Sequence, residues 1–275
     1  MADPFTHVSA AGAEMIEQIV EALEARAADP EMLPIVHAYL SRLELRDGAK
    51  VLDIGAGTGG ITRRVAAQAP HCSVLGVEPS PELVDVANDR AAGIDNLSFA
   101  VGDAYALEFD DEHFNAAIFH TVLCHVTEPE RALAEAFRVL HPGGQLVVCD
   151  ADFAKLSMGL DDADPVQACA VGFYRRFVTD PWFAGKLRGL AQATGFEIEC
   201  FNVDNRLDLE GTGGGVSWIR FVAGALVREG VIGQPLADAL AAEWARRGEA
   251  GIAYGFNPFV TLIARRPSRI GAGLA

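Results

Sequence analysis

The chain is short of positive charge. Against 38 aspartates and glutamates it sets 22 lysines and arginines, a formal net charge of −16 over 275 residues. So acidic a surface repels phosphate backbones and anionic lipid, and neither nucleic acid nor membrane is an expected partner. The arginine pairs Arg63-Arg64, Arg175-Arg176, Arg246-Arg247 and Arg265-Arg266 are scattered and form no basic patch. Cysteine is also scarce. The five present, Cys72, Cys124, Cys149, Cys169 and Cys200, are odd in number and include no C-x-x-C, which speaks against a disulfide framework. No cluster of histidine and carboxylate has metal-ligand spacing, so no metal is expected. No uncharged run is long enough to span a bilayer. The opening "MADPFTHVSA" has no basic segment followed by an apolar one, so no signal peptide is visible and a cytoplasmic setting is the default expectation.

What is present is half hydrophobic, enough for a sizeable core, and no internal repeat is seen. Ile16, Ile19, Val20 and Leu23, then Leu33, Val36, Leu40 and Leu43, fall at helical spacing and predict two leading helices broken at Asp29-Pro30. Residues 1–48 therefore read as a helical cover on a main domain of 49–275. From Lys50 strands alternate with helices. "KVLDIG" (50–55), "CSVLGVE" (72–78), "LSFAVGD" (97–103), "NAAIFHTV" (115–122) and "QLVVCD" (145–150) are strand-like. Helices fit between them, one starting at Ser80-Pro81-Glu82 with a capping serine and proline at the first position. "HPGG" (141–144) reads as a turn. After residue 150 the pattern loosens into lid-like insertions at about 151–182 and 204–257. Between and after them come strands "FEIECFNV" (196–203) and "PFVTLIAR" (258–265), and the tail "PSRIGAGLA" is expected to fray. Alternation of this kind predicts an α/β fold, a doubly wound parallel sheet whose ligand lies beyond the carboxyl ends of the strands. Asp53, Glu78, Asp103, His120 and Asp150 all sit near such ends.

The loop "VLDIGAGTGG" (51–60) has two readings. Gly55, Gly57 and Gly60 spell the dinucleotide fingerprint G-x-G-x-x-G. Asp53, Gly55, Gly57 and Gly59 spell D-x-G-x-G-x-G. In both, glycines let a ligand approach the main chain, and Glu78, 19 residues after Gly59, can accept from two ribose hydroxyls.

Later residues separate the readings. "VGDA" (101–104) puts an acid after the third strand, and "RVLHPGG" (138–144) precedes the fifth. With the D-x-G-x-G-x-G loop these resemble the class I S-adenosylmethionine (SAM) methyltransferases. "FHTVLCHV" (119–126) looks like the ubiquinone/menaquinone-biosynthesis type within that class. A nicotinamide oxidoreductase accounts for Gly55 to Glu78 alone. The resemblance implies a seven-stranded Rossmann-like sheet with the last strand antiparallel and helical lid insertions. It implies that Gly55, Gly57 and Gly59 line the methionine part of SAM, that Asp53 orients its ammonium, that Glu78, with Pro79 beside it, holds the ribose, and that Asp103 and the Ala104 backbone frame the adenine. It places His120 near the sulfonium.

The activity so implied is methyl transfer to a small, mostly apolar molecule by in-line displacement, at an oxygen, nitrogen or carbon not specified, leaving S-adenosylhomocysteine. If the acceptor must lose a proton, His120 is the first candidate base, with His125 and Asp152 behind it. Phe173, Tyr174, Phe177, Trp182, Trp218, Tyr254 and Phe256 read as core or lid packing. The alternative function is a SAM-binding relative that acts as a cyclase or isomerase without methyl transfer, since such motifs report binding and not turnover. The oligomeric state is not legible.

Overall fold

A computed structural model describes residues 3, 5, 8–10, 12–161, 163–211 and 214–268. The strands are β1 (Lys50–Ile54), β2 (Ser73–Glu78), β3 (Leu97–Val101), β4 (Phe114–His120), β5 (Leu140–Ala151), β6 (Glu197–Asp208) and β7 (Gly255–Arg265). The helices are α1 (Ala13–Ala28), α2 (Met32–Leu40), α3 (Gly60–Gln68), α4 (Pro81–Arg90), α5 (Pro129–Val139), α6 (Gln167–Phe177), α7 (Phe183–Thr194), α8 (Gly214–Arg228) and α9 (Gln234–Glu249). The seven strands form one sheet in the order β3-β2-β1-β4-β5-β7-β6. The neighbours from β3 to β5 are parallel, and β7 runs antiparallel to both β5 and β6. This is the α/β architecture expected from the alternating pattern.

The central strands carry apolar residues at consecutive positions because both of their faces are covered. Val51, Leu52 and Ile54, Ala116 to Phe119, and Leu146 to Cys149 are all inaccessible to solvent. The strand order reverses between β1 and β4, which opens a crevice at their carboxyl ends. The connection from β1 to α3 lies there.

Three boundaries differ from the expected ones. β5 starts at Leu140, not at residue 145, so "HPGG" lies within the strand. Leu140 pairs with Phe114, and the stretch is drawn into the sheet by Arg266, whose N–H bonds Gly144 O at 2.9 Å and whose O accepts from Gly143 N at 2.8 Å. β6 and β7 also run past the predicted 196–203 and 258–265, pairing out to Asp208 and Gly255. They carry a two-stranded ribbon into the insertion, on which α8 and α9 pack against each other. The expected fraying of "PSRIGAGLA" concerns residues of which 269–275 lie outside the described set.

The leading helices are tied to the crevice by charge. Glu24 of α1 accepts from Thr58 Oγ1 at 2.5 Å and Arg63 Nη2 at 2.8 Å, and pairs with Arg90 at 2.6 Å. Burial pushes the Glu24 carboxyl up, but these donors outweigh it and its pKa is lowered. Arg64 Nε adds a bond to Ala27 O at 3.2 Å. α1 also touches α8, so cover and insertion meet.

Gly59 precedes α3 with φ 76°, and a Cβ placed there would lie 2.4 Å from the Phe99 ring. Gly59→Ala is expected to lower stability by at least about 2 kcal/mol, from the left-handed backbone and the overlap together. Phe99→Leu in the same chain should recover part of that loss. Denaturant unfolding checks both, and an unchanged midpoint for Gly59→Ala would contradict the packing described.

Candidate functional site

The turn after β1 is fastened to β2 before any side chain acts. Gly55 N and Ala56 N both donate to Val77 O, at 2.8 and 3.0 Å. The next residue of β2 is Glu78, and its carboxylate bridges two loops. Oε2 accepts from Gly57 N at 3.0 Å and Oε1 from Ser80 N at 3.2 Å. Burial pushes Glu78 up to about 7, even though those two N–H groups lower it. Asp53, next to last in β1, accepts from Thr62 Oγ1 at 2.6 Å. Burial raises it to about 6 against that bond. No cation is among the groups that shift either carboxyl.

These groups line a cavity of about 360 Å³. It brings together Asp53, Gly55, Gly57, Glu78, Pro79, Asp103, Ala104, His120 and His125 from separate strand ends. Asp103 Oδ1 accepts from Tyr105 N at 2.9 Å, which fixes the carboxylate at the head of its turn. Two expected residues are not brought in. Gly59 faces Phe99, and Asp152 lines neither this cavity nor the next. Asp150 is fully buried and accepts from Cys124 N at 3.1 Å and its neighbour Ala151 N at 3.0 Å. It anchors the short 3-10 turn Leu123–His125.

His120 ends β4, and its Nδ1 is 3.2 Å from the hydroxyl of Tyr39 on α2. Its Nε2 has no hydrogen-bond partner. Burial, with a contribution from Arg26, drives the His120 pKa down to about 3, so the imidazole is neutral. Tyr39 is pushed well above its ordinary value by burial and keeps its proton. Thr121 follows in a left-handed conformation, φ 54°, held by its N–H to Cys149 O at 2.7 Å. His125 Nδ1 is 2.8 Å from Asp3 Oδ2, which also accepts from Thr179 Oγ1 at 3.1 Å.

A second cavity of about 520 Å³ adjoins the first, and Phe5, Leu23, Arg26 and Thr121 line both. Its walls include Phe153, Met158, Phe173, Trp218, Phe221 and Phe259. Phe173 packs on Trp218 at 4.9 Å and on Phe153 at 5.4 Å between ring centres. The expected lid packing of Phe173 and Trp218 is thus also the lining of a chamber.

Sequence reading missed Asp3, Arg26 and Tyr39. One signal was there: Arg26 continues the stripe Ile16, Ile19, Val20, Leu23, where an apolar residue is the rule. Nothing local marks Asp3 or Tyr39.

Comparison with known proteins agrees with this geometry. Residues 52–148 match the family described as "Methyltransferase domain". This stretch is similar to a methyltransferase domain. It runs from the second residue of β1 to the middle of β5 and so contains the glycine loop, Glu78, Asp103, His120 and His125. The demethylmenaquinone methyltransferase of Clavibacter sepedonicus is 39% identical over 103 residues, 38% of this chain and 41% of that protein. The chain spans about two fifths of the length of the first curated relatives it matches. Among solved structures, the cyclase SpnF has a TM-score of 0.60 at 23% identity, covering 97% of this chain and 98% of that one. Phosphoethanolamine N-methyltransferase 2 of Haemonchus contortus, solved with S-adenosyl-L-methionine, has a TM-score of 0.54 at 20% identity, covering 86% of this chain and 53% of that one. At these identities the likeness to solved structures shows a shared fold.

Among the described residues no helix is long and apolar enough to cross a membrane, and no group of three or more histidines, cysteines and carboxylates could hold a metal ion.

The raised carboxyl of Glu78 ties the stability of the fold to pH. An ordinary glutamate titrates at 4.5, whereas folded Glu78 does so at about 7. The native state binds the extra proton in that interval, so stability is highest below it and falls as pH rises through it. Glu78→Gln removes this contribution, worth on the order of 3 kcal/mol across the interval. Thermal unfolding from pH 5 to 8 should fall less steeply in Glu78→Gln than in the parent protein, and parallel curves would contradict the assignment.

Proposed function

We propose that this protein is a SAM-dependent methyltransferase acting on a small, mostly apolar organic molecule. The observation that carries the reading is the pairing of two chambers. One is a glycine-rich crevice with a buried, cation-free carboxylate at its edge. The other is a larger aromatic-walled cavity, and the two share Thr121 and Arg26.

The residues fit the nucleoside. Each Glu78 oxygen takes a single backbone N–H, which leaves acceptor capacity for two ribose hydroxyls. Asp103 and the Ala104 backbone suit the adenine edge. Asp53 suits an ammonium, which would offset the cost of its burial. Gly55 and Gly57 allow close approach of the methionine portion. When bound, SAM supplies a methyl group already activated by its sulfonium. The protein's work is then to orient the acceptor and exclude water, a contribution of up to about 7–11 kcal/mol to the barrier in favourable cases. We read residues 1–48 as the cover of the site, with 151–182 and 204–257 as its lid, on a core that begins at 49.

For His120 the geometry favours a role other than the proton acceptor expected from sequence. Tyr39 retains its hydroxyl proton and has Nδ1 as its partner. The proton of His120 then resides on Nε2, and the imidazole offers the crevice a neutral N–H donor. A donor there would steady an acceptor oxygen as charge develops on it. Where the acceptor must lose a proton, His125, whose Nδ1 lies 2.8 Å from Asp3 Oδ2, is the other candidate in the crevice.

A second reading, a SAM-binding cyclase or isomerase, draws on the fold shared with SpnF along nearly the whole chain. Production of S-adenosylhomocysteine separates the two: methyl-labelled SAM and a cell extract should give a labelled metabolite, and its absence would favour the second reading.

Asp103→Ala and Glu78→Ala should each weaken SAM binding tenfold or more in calorimetry, and affinities unchanged by both would remove the assignment. In the label-transfer assay His120→Gln, which keeps an N–H donor, should retain most of the turnover that His120→Ala loses. Equal losses in the two variants would restore the proton-acceptor role.

A further inference from the structure

The Arg26 guanidinium has no hydrogen bond or ion pair among the described residues, although Arg26 continues the apolar stripe of α1 and lines both cavities. Its electrostatic neighbours are Cys124 in the 3-10 turn after β4 and Asp150 and Cys149 near the end of β5, with Arg206 opposing. None of these comes within pairing distance of it. Burial lowers its pKa, the mark of a cation that lacks compensation. Asn257 Oδ1, also in the chamber wall, has no hydrogen-bond partner, whereas two of the charged neighbours are held. Arg206 is paired with Asp29, and Asp208 Oδ1 accepts from Gly211 N at 3.1 Å. Arg220 and Arg228 also line the larger cavity with no partner among the described residues. In a chain of net charge −16, unpaired guanidiniums around one aromatic chamber are the local exception.

We propose that the larger cavity binds an aromatic carboxylate, whose negative oxygens are received by Arg26 and whose rings lie against Phe173 and Trp218. A planar carboxylate matches the guanidinium fork, and pairing away from water would return what burying the cation costs. Arg220 and Arg228, both exposed, would draw the anion towards the chamber. The position of Arg26 between the chambers brings the carboxylate end of the molecule, and substituents next to it, towards His120 and the crevice.

Two molecules could present a carboxylate to Arg26: the acceptor, or the methionine part of the nucleoside. Arg26 stands near Cys149 and Asp150 of β5, Cys124 and His120, and it opens on the aromatic chamber as well as on the crevice; we assign it to the acceptor on its place in that chamber, and the nucleoside arm of the test separates the two sources. The inference rests on the methyl-transfer reading for its meaning, yet its test is a binding measurement. Protein saturated with S-adenosylhomocysteine is titrated calorimetrically with 2-naphthoate and with its uncharged isostere 2-naphthamide. The carboxylate should bind at least tenfold tighter. Arg26→Met should abolish that preference, Arg26→Lys should keep part of it, and the affinity of both variants for S-adenosylhomocysteine should match the parent. Arg26 leaves no stranded partner behind, so Arg26→Met is expected to fold, and the comparison of the two ligands on the parent protein stands without it. Equal affinity for the two ligands, absence of naphthoate binding, or a preference that survives Arg26→Met would overturn the proposal. So would a loss of S-adenosylhomocysteine affinity in Arg26→Met, which would hand the guanidinium to the nucleoside. Failure of the parent protein to bind S-adenosylhomocysteine at all would instead count against the methyltransferase reading itself.

Discussion

The hydrogen bond from Gly57 N to the Glu78 carboxylate is the constraint on which the site depends. It joins the turn leaving β1 to the tip of β2. The turn is already held by Val77 O, and the second carboxylate oxygen reaches across to Ser80 at the start of α4. One buried side chain therefore sets the spacing of three segments that converge on the crevice. The carboxylate is costly to hold there, because burial favours its protonated form and no cation offsets it. Hydroxyl donors from a ligand would supply what the fold withholds. A site strained in this way is stabilised by its occupant, which is how binding energy comes to organise a loop.

Around that constraint the molecule is built in two halves that meet above the sheet. The stretch similar to a methyltransferase domain provides the crevice from strand ends. Leu23 and Arg26 of α1 line both cavities, and Trp218 and Phe221 of the insertion between β6 and β7 line the larger one. Glu24 ties α1 to the glycine loop, α3 and α4 at once, so the cover is anchored where the nucleoside is proposed to sit. The same helix carries Arg26 and Leu23 into both chambers. Closing one chamber and shaping the other are consequently linked through a single helix. The stretch that matches the family, residues 52–148, holds the crevice and leaves out the leading helices and the insertion between β6 and β7.

The sequence made the crevice legible because its residues sit next to local signals. Asp53, Glu78 and Asp103 each follow an apolar strand, and the glycines mark the turn. Such features depend on a few neighbours in the chain. Gly59 illustrates the limit. Its left-handed backbone was readable from the glycine pattern, but its neighbour is Phe99, forty residues away, and its place is in packing and not in the cavity. Asp152, expected as a candidate base behind His120, lines neither chamber. The strand ends of β6 and β7 were hidden because Asp204, Arg206 and Asp208 alternate along a ribbon and read as a polar loop. Tyr39 and Asp3 reach the site across 81 and 122 residues, contacts that no periodicity encodes. Arg26 was the one visible anomaly, a charge on an apolar stripe.

The central claim is that the β1 turn and the Glu78 carboxylate hold a sulfonium nucleoside. A crystal structure of the protein grown with S-adenosylhomocysteine tests it most directly. The account predicts both ribose hydroxyls on Glu78 and the adenine beside Asp103. An empty crevice, or a ribose bound elsewhere with the Glu78 carboxylate turned away, would contradict it.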